Sequence, residues 1–301
     1  MSGEILVGTS SWTDPTLLAS GWYPPEAKSA EARLAFYASQ FPLVEVDATY
    51  YAPPSARNAA LWVERTPAHF TFNVKAYSLL TQHPTKVASL PKALRAHAGD
   101  KRSAYQKDLP LEAVDEVFEM FRSALMPLHS AGKLGCVLFQ FPEWFVPSRD
   151  NKAYVESCLA RLPDYRIAVE FRRGTWMTGE DPAERTLEWL RSIGAVYVCL
   201  DMPQGFASSV PDVVASTAPD LAVVRFHGRN VQTWKKKGIS VAERFDYLYA
   251  EDELRAWQPR LLELAGEVKR THVLFNNCYQ DKGVRNAAQL ALMLGFSDPS
   301  A

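Results

Sequence analysis

The sequence lacks most of the features that would place the chain outside the ordinary globular class. Its 301 residues include four cysteines, which show no C-x-x-C spacing and are interpreted as reduced core residues. No segment approaches the roughly 18 uninterrupted apolar residues that a membrane helix requires. The formal charge is only -1, which excludes a polycation, so any affinity for anionic partners must come from local patches.

Familiar catalytic signatures are also absent. The chain contains no G-x-G-x-x-G string, no Walker loop, no G-x-S-x-G elbow and no H-E-x-x-H pair, so nicotinamide, nucleoside-triphosphate, serine-hydrolase and zinc-protease chemistry are not assigned. We predict no cofactor, with a divalent metal kept as an alternative. The start, Met1-Ser2-Gly3, carries no basic leader followed by an apolar region, and a cytoplasmic location is therefore expected.

What the sequence does contain is a repeated alternation of short strand-like runs with stretches of helical periodicity. This pattern is typical of a parallel sheet built from βαβ units, and eight runs predict closure into a (β/α)8 TIM barrel that occupies residues 1–301 as a single domain. Only a short helix is expected between the sixth and seventh runs, near Val210 to Ser216. The eight predicted strands are Glu4 to Ser10, Leu43 to Thr49, Phe70 to Lys75, Leu134 to Gln140, Arg166 to Arg172, Ala195 to Asp201, Leu221 to His227 and His272 to Asn277.

Two connections are unusually long, Ala76 to Pro110 after the third strand and Gly228 to Tyr249 after the seventh. Loops of this length are usually functional, and loops that follow strands build the active-site face of this fold. Both are rich in lysine and arginine. They are predicted to place positive charge over one mouth of the barrel, although solvated loop charges are an equally good interpretation.

Polar residues in the strands share one parity. In the fifth strand Ile167, Val169 and Phe171 alternate with Glu170 and Arg172, and because helices cover the outside of a barrel, the polar set is expected to face its axis. The same argument predicts further inward residues near the carboxyl ends of other strands. These are Glu45, Asp47, Asn73, Lys75, Gln140, Asp201, Arg225, His227 and Asn276.

Four carboxylates and several cations are thus predicted to share the upper barrel. Burying so many charges is costly unless they pair, and an apolar core would be no less stable, so a binding or catalytic site is favoured over a purely structural ion-pair network. Glu45 is alternatively a structural partner of Arg225. Aromatic residues after strand ends are predicted to supply flat walls for a ligand. The aromatic residues predicted to contact a ligand are Trp12, Tyr23, Tyr51 and Trp176. Four other aromatic residues also follow strands, namely Trp22, Tyr50, Trp144 and Trp234.

The ordered strand-end motifs resemble those of the YecE-like family, a domain-of-unknown-function family (domain of unknown function 72) with a β/α barrel. Eight strings carry the resemblance across nearly the whole chain. They are Gly8 to Trp12, Gly21 to Pro24, Val44 to Tyr51, Phe72 to Ala76 with His83-Pro84, Leu138 to Pro142, Glu170 to Trp176, Arg225 to Asn230 and Phe275 to Asn277. The resemblance implies the barrel fold and no established reaction.

The leading functional hypothesis is an enzyme that acts on an anionic small molecule bearing phosphate or carboxylate. Lys75, Arg172, Arg225 and Arg229 would hold the anion, because arginine can bind two oxygens at once. Glu170 is the candidate general base and His227 the candidate acid, since imidazole titrates near neutral pH. Asp47 and Asp201 are the other candidate carboxylates, and Gln140, Asn276 and Glu45 are expected to contact the substrate.

Three alternatives remain open at this stage. A phosphodiester-cleaving enzyme or nucleic-acid-binding barrel would use the basic loops on phosphates and could hold a divalent metal at Glu45, Asp47, Glu170 and His227. A glycosidase would place two carboxylates about a sugar. A non-catalytic binding barrel would only bind its partner. The sequence predicts no membrane partner and does not indicate an oligomeric state.

Overall fold

Eight parallel strands close into a barrel in this computed structural model, which describes residues 3–179 and 182–296. Around the barrel the strand order is β1-β10-β9-β8-β7-β6-β3-β2. The barrel strands are β1 Glu4–Thr9, β2 Leu43–Val46, β3 Thr71–Lys75, β6 Leu134–Gln140, β7 Ile167–Glu170, β8 Val196–Asp201, β9 Leu221–Phe226 and β10 Arg270–Phe275. The predicted fold class is confirmed, and every predicted strand overlaps an observed one.

Helices cover the outside of the barrel. They are α1 Pro15–Ala19, α2 Ala30–Gln40, α3 Ala56–Glu64, α4 Leu111–Ser130, α5 Arg149–Arg161, α6 Pro182–Ile193, α7 Val241–Arg244, α8 Glu251–Glu267 and α9 Lys282–Met293. The long connection after β3 contains the small antiparallel pair β4 Thr85–Lys86 and β5 Ser103–Ala104, together with short 3-10 turns that include Lys92–Ala98.

Serine side chains define where several helices begin. Ser29, Ser55, Ser148 and Ser240 each precede a helix and accept a hydrogen bond from a backbone N–H of its first turn. These N–H groups have no partner within the helix, so the serine oxygens compensate them. The short helix α7, within the connection after β9, is therefore fixed at its start by Ser240, close to the barrel mouth.

The short helix expected near Val210 to Ser216 is not formed. Residues 210–216 run as irregular backbone beside β8. The Thr217 hydroxyl anchors the segment, because it donates to the Ala195 carbonyl at 2.7 Å and accepts from the Tyr197 N–H at 2.8 Å. This side-chain bridge attaches the end of the irregular segment to the neighbouring strand.

The two faces of the strands have different compositions. Outward residues such as Val44, Phe72, Val169 and Val224 are fully buried against the helices and form the main apolar core. The inward residues become increasingly polar towards the carboxyl ends of the strands. This layered interior positions charged side chains at one mouth, as the alternation in β2, β3 and β7 predicts.

Among residues 3–179 and 182–296, the protein has no helix whose length and apolar character would allow it to cross a membrane.

Candidate functional site

An open cavity lies at the mouth formed by the carboxyl ends of the strands. Its volume is about 670 Å³, within the range of small-molecule sites. Polar side chains from several different strands meet at its base, and loop residues form its walls. The base includes Asp47, Lys75, Gln140, Arg172 and Asn276, and the walls include Tyr50, Tyr51, His83, Trp144, Arg244 and Phe245.

Beneath this cavity, one arginine joins two carboxylates on the barrel axis. Arg225 in β9 donates through Nη2 to Oε1 of Glu45 at 2.5 Å and through Nη1 to Oε2 of Glu170. All three side chains are shielded from solvent. Because one cation neutralises part of the charge on both acids, the desolvation of the three groups is compensated locally. The expectation that Glu45 is a structural partner of Arg225 is consistent with this geometry, which leaves neither group at the cavity surface.

Glu170 accepts hydrogen bonds from four side chains and has 0% exposure. Its Oε1 accepts from Gln140 Nε2 at 2.6 Å, from Arg172 Nη1 at 3.2 Å and from His227 Nε2 at 3.1 Å, in addition to the Arg225 contact at Oε2. Burial opposes ionisation, but the nearby Arg225, His227 and Arg172 together hold the pKa of Glu170 well below its ordinary value. A permanently ionised, fully bonded carboxylate is a poor general base, so the geometry does not favour that predicted role.

His227 is fixed as a neutral imidazole beside Glu170. Its Nδ1 lies 2.8 Å from the Asn276 amide nitrogen, which donates, so Nε2 carries the proton and donates to the carboxylate. Burial is the main cause that lowers the pKa of His227 to about 4, against the opposing effect of Glu170. The side chain is buried, with both ring nitrogens engaged. The geometry therefore favours a positioning role for His227 over the predicted role of general acid.

The second carboxylate of the axis responds differently to burial. Desolvation is the largest influence on Glu45 and raises its pKa, with Arg225 acting in the opposite direction. Glu45 is contacted by a single arginine group, whereas Glu170 has four donors. The unequal number of donors explains why the two acids, although bound to the same guanidinium, are shifted in opposite directions.

Asp47 and Lys75 form an ion pair at the base of the cavity. Lys75 Nζ lies 2.7 Å from Asp47 Oδ1, and the ammonium also lies 4.8 Å from the centre of the Tyr50 ring. The Asp47 side chain is 29% exposed, which makes it the most accessible of the four carboxylates predicted to lie in the upper barrel. Both residues lie where the strand parity placed them, and both face the cavity.

Arg172 reaches the same cavity from the end of β7. One side of its guanidinium contacts Glu170, and the Trp234 ring lies 4.9 Å from its Cζ atom. This packing holds the guanidinium in one orientation at the cavity base. Arg172 is the predicted anion-binding arginine that the structure places at the mouth, whereas Arg225 lies below the cavity.

His83 lines the cavity and was not among the predicted site residues. Its Nδ1 lies 2.8 Å from the Thr81 hydroxyl, and its ring packs edge-on to Tyr50 and Trp144. Burial and then the positive charges of Lys75 and Arg172 lower the pKa of His83 to about 4. The imidazole is therefore neutral near pH 7, close to two cations. The His83-Pro84 string in the loop after the third strand was the sequence signal that could have identified it.

Asp201 and Arg229 lie outside the barrel interior, which corrects their predicted place at the mouth. The Asp201 carboxylate accepts hydrogen bonds from Trp257 Nε1 at 2.8 Å and from the Tyr249 hydroxyl at 2.6 Å. Arg229 binds the same carboxylate at 2.5 Å and also binds Glu253 at 2.9 Å. Trp257 belongs to α8, so these groups join the barrel wall to a covering helix. Arg229 is consequently occupied by two acids and is not positioned to hold an anion in the cavity.

Two of the predicted aromatic contacts also lie away from the cavity. Trp176 is fully buried and stacks on Phe171 with ring centres 4.1 Å apart, on the helix-covered side of the wall. Trp12 is buried against Trp62 and Phe72. Each residue follows a strand, but the side chain turns into the apolar core, where burial of its large surface is favourable.

Tyr23 and Tyr51 have different surroundings. The Tyr23 hydroxyl donates to the Trp12 carbonyl at 2.5 Å, and its ring packs on Trp22 and Phe36, so it fixes the loop after β1. Tyr51 is 55% exposed and lines the cavity. Of the four aromatic residues predicted to contact a ligand, Tyr51 is thus the one that the structure places at the mouth.

The four residues proposed as metal ligands do not form a coordinating set. Arg225 and Lys75 already bind the carboxylates, and the His227 nitrogen that faces Glu170 carries a proton. Within the described parts of the chain, no group of three or more His, Cys, Asp and Glu residues is arranged to hold a metal ion. Cations within the cluster would repel a divalent ion. The four predicted metal ligands to which this applies are Glu45, Asp47, Glu170 and His227.

Comparison with known proteins shows which family the chain belongs to. The model for the family described as "Protein of unknown function DUF72" matches residues 6–300. The chain is similar to UPF0759 protein YunF of Bacillus subtilis (strain 168), with 35% identity over 293 residues that cover 96% of this chain and 94% of the relative.

Two solved structures show the same architecture at full length. A DUF72 family protein from Enterococcus faecalis V583 is 27% identical, with a TM-score of 0.79 and coverage of 97% of this chain and 96% of that chain. A DUF72 family protein from Thermotoga maritima MSB8 is 32% identical, with a TM-score of 0.76 and coverage of 97% and 99%. The motif resemblance is thereby confirmed, and the chain belongs to the DUF72 family.

Proposed function

We propose that the mouth binds a small molecule through its phosphate or carboxylate group and catalyses proton transfer on it. The observation that carries this proposal is that His83 lines the same open cavity as the two cations Lys75 and Arg172. Burial and these two positive charges lower the pKa of His83, which favours its neutral form. An anion that binds near these cations would meet complementary charge, and a neutral imidazole can accept a proton at pH 7.

The remaining side chains of the base support the same division of roles. Asp47 holds the Lys75 ammonium at the cavity floor, and Glu170 holds the Arg172 guanidinium. Gln140 and Asn276 contribute amide groups to the lining. The buried Glu45, Arg225 and Glu170 cluster fixes this floor from below, so the anion-binding groups are preorganised before a ligand arrives. In this proposal Glu170 and His227 position other groups, and His83 replaces Glu170 as the proton acceptor.

The alternatives receive less support from the arrangement of charges. Metal-assisted phosphodiester cleavage requires oxygen and nitrogen ligands that are instead occupied by arginine and lysine. A glycosidase requires an accessible carboxylic acid, whereas the acid with a raised pKa, Glu45, lies beneath the floor. A non-catalytic binding barrel would use the same anion site without proton transfer. The two possibilities therefore differ only in whether the bound molecule is converted.

Binding of inorganic phosphate and of small phosphorylated and carboxylated metabolites, measured by titration calorimetry, tests the anion site. Lys75→Met removes one charge from the floor and is expected to weaken binding about tenfold or more, since hydrogen bonds to charged groups contribute about 1.5–3 kcal/mol. Lys269→Met removes the same charge from the opposite end of the barrel and serves as the matched control. Equal loss in both variants would contradict a specific site at the mouth.

Proton transfer is tested separately from binding. Each ligand that binds is incubated with the protein in D2O, and deuterium incorporation at its carbon atoms is followed by NMR. The proposal predicts incorporation that His83→Gln abolishes and Lys269→Met retains. Tight binding with no incorporation and no other product, for every ligand of the panel, would identify a binding barrel instead.

A further inference from the structure

A second groove adjoins the mouth and is not used by the anion site. Its volume is about 780 Å³, and it lies between the loop after β3 and the helices α4 and α5. Trp144 lines both the groove and the mouth. The two cavities therefore meet at this side chain. The groove is further lined by Tyr105, Gln106, Lys107, Tyr154 and Arg161.

Exposed aromatic rings dominate the entrance to this groove. Trp144 is 55% exposed and Tyr105 is 38% exposed. Large apolar rings left accessible at a concave site suit a partner with a flat face, because stacking removes apolar area from water on both sides. From the mouth, Tyr50, His83 and Trp144 follow one another with ring centres 5.3 and 5.9 Å apart, so the aromatic surface is continuous from the anion site into the groove.

The groove also offers hydrogen-bonding groups with fixed orientation. Gln106 Nε2 donates to the Tyr154 hydroxyl at 2.6 Å, and that hydroxyl donates to the Leu80 carbonyl at 2.8 Å. Within residues 3–179 and 182–296 the Gln106 Oε1 atom accepts no hydrogen bond, so it is available to an amino group of a ligand. A planar ring that carries both donors and acceptors on its edge would use the aromatic walls and this amide together.

The groove also contains a positive charge. Lys107 Nζ lies 5.7 Å from the centre of the Tyr105 ring, and it forms no salt bridge within the described ranges. The groove thus combines rings, an oriented amide and a cation, while the neighbouring mouth offers Lys75 and Arg172 to an anion. Aromatic rings beside cations are the combination with which proteins bind the bases and phosphates of nucleotides.

We propose that the two cavities together form a nucleotide site, in which the phosphate of a nucleoside monophosphate lies in the mouth and its base stacks on Trp144 in the groove. This inference rests on the proposed function, because the phosphate occupies the same anion site. It adds a substrate class, and it assigns Trp144, Tyr105 and Gln106 as specificity-determining residues.

Titration calorimetry on the full chain with AMP, ribose 5-phosphate and inorganic phosphate tests the inference. AMP is expected to bind about tenfold or more tightly than ribose 5-phosphate, because stacking of a base on an aromatic side chain contributes that much or more. Trp144→Ala is expected to remove the advantage of AMP over ribose 5-phosphate, whereas Trp144→Phe retains part of it. Met120→Ala on α4, also an exposed large apolar residue, is the control and should bind like wild type.

The outcomes separate the two proposals. If ribose 5-phosphate and AMP bind equally well, and GMP, CMP and UMP show no advantage either, the nucleotide inference is overturned while the anion site stands. If none of these ligands nor inorganic phosphate binds, both proposals fail. An advantage of AMP that Trp144→Ala does not reduce would also overturn the inference, because the base would then lie elsewhere.

Discussion

Arg225 and Glu170 form a fully buried ion pair at the centre of the barrel, directly beneath the open mouth. The pair connects β9 to β7 and is extended by Glu45 on one side and Arg172 on the other. The strand pattern predicts that Glu45, Glu170 and Arg225 face the barrel axis. Because these three side chains lie beneath the cavity and are buried, a ligand in the cavity does not reach them. The Arg225–Glu170 pair supports the floor of the candidate site and does not itself face the cavity.

Neutralising Glu170 should therefore destabilise the protein. Glu170→Gln removes the negative charge and leaves Arg225 and Arg172 short of an acceptor, and breaking a buried ion pair costs about 3–5 kcal/mol. We expect the free energy of unfolding, measured by urea denaturation, to fall by about that amount. Glu64→Gln, at an exposed position on α3, should change it by less than about 0.5 kcal/mol. Unchanged stability with lost turnover would show instead that Glu170 acts directly on substrate.

Asp201 is expected to matter for stability and not for the mouth. Asp201→Asn weakens the contacts with Arg229, Tyr249 and Trp257, and the loss of a buried, charged acceptor should cost roughly 3 kcal/mol. Phosphate affinity, measured on the folded variant, should remain that of wild type. Asp212→Asn breaks an exposed pair with Arg260 and should cost less than about 1 kcal/mol. A stable Asp201→Asn variant that no longer binds phosphate would contradict this assignment and would show that Asp201 contributes to the anion site.

The neutral, buried His227 predicts a specific dependence of stability on pH. Its pKa falls from the ordinary value of 6.5 to about 4 in the folded protein, so the unfolded chain binds more protons between these values. The contribution is fully present above about pH 6.5 and is lost as the pH decreases towards 4, by on the order of 3 kcal/mol. His227→Gln should show a flatter profile over this interval in urea denaturation. His97→Gln, at an exposed position, should keep the wild-type slope, and a wild-type slope in His227→Gln as well would contradict the assignment.

The extent to which the sequence predicted this structure follows from the composition of each strand. In β2, β3 and β7 polar and apolar residues alternate, so the inward direction of Glu45, Lys75 and Glu170 could be derived from parity. In β8 the residues from Val196 to Leu200 are apolar on both faces. Alternation then carries no information about direction, which is why Asp201 was assigned to the wrong side.

Loop residues were harder to place for a different reason. Trp176 and His83 both follow strands, but the side chain of Trp176 turns into the core while that of His83 lines the cavity. The direction of a loop side chain depends on contacts with distant elements, such as the stacking of Trp176 on Phe171. Such contacts are not encoded in local periodicity, so the sequence predicted the strand residues at the base of the mouth better than the loop residues that form its walls.

The pKa of His83 is the most direct test of the anion site. The imidazole signals of all six histidines can be followed by NMR against pH, and His83→Gln identifies the resonance. The account predicts a value near 4 in the free protein and a rise of about one unit or more with saturating inorganic phosphate, because a nearby negative charge favours the protonated form. A His83 pKa near 6.5 that does not change with phosphate would contradict the proposed site.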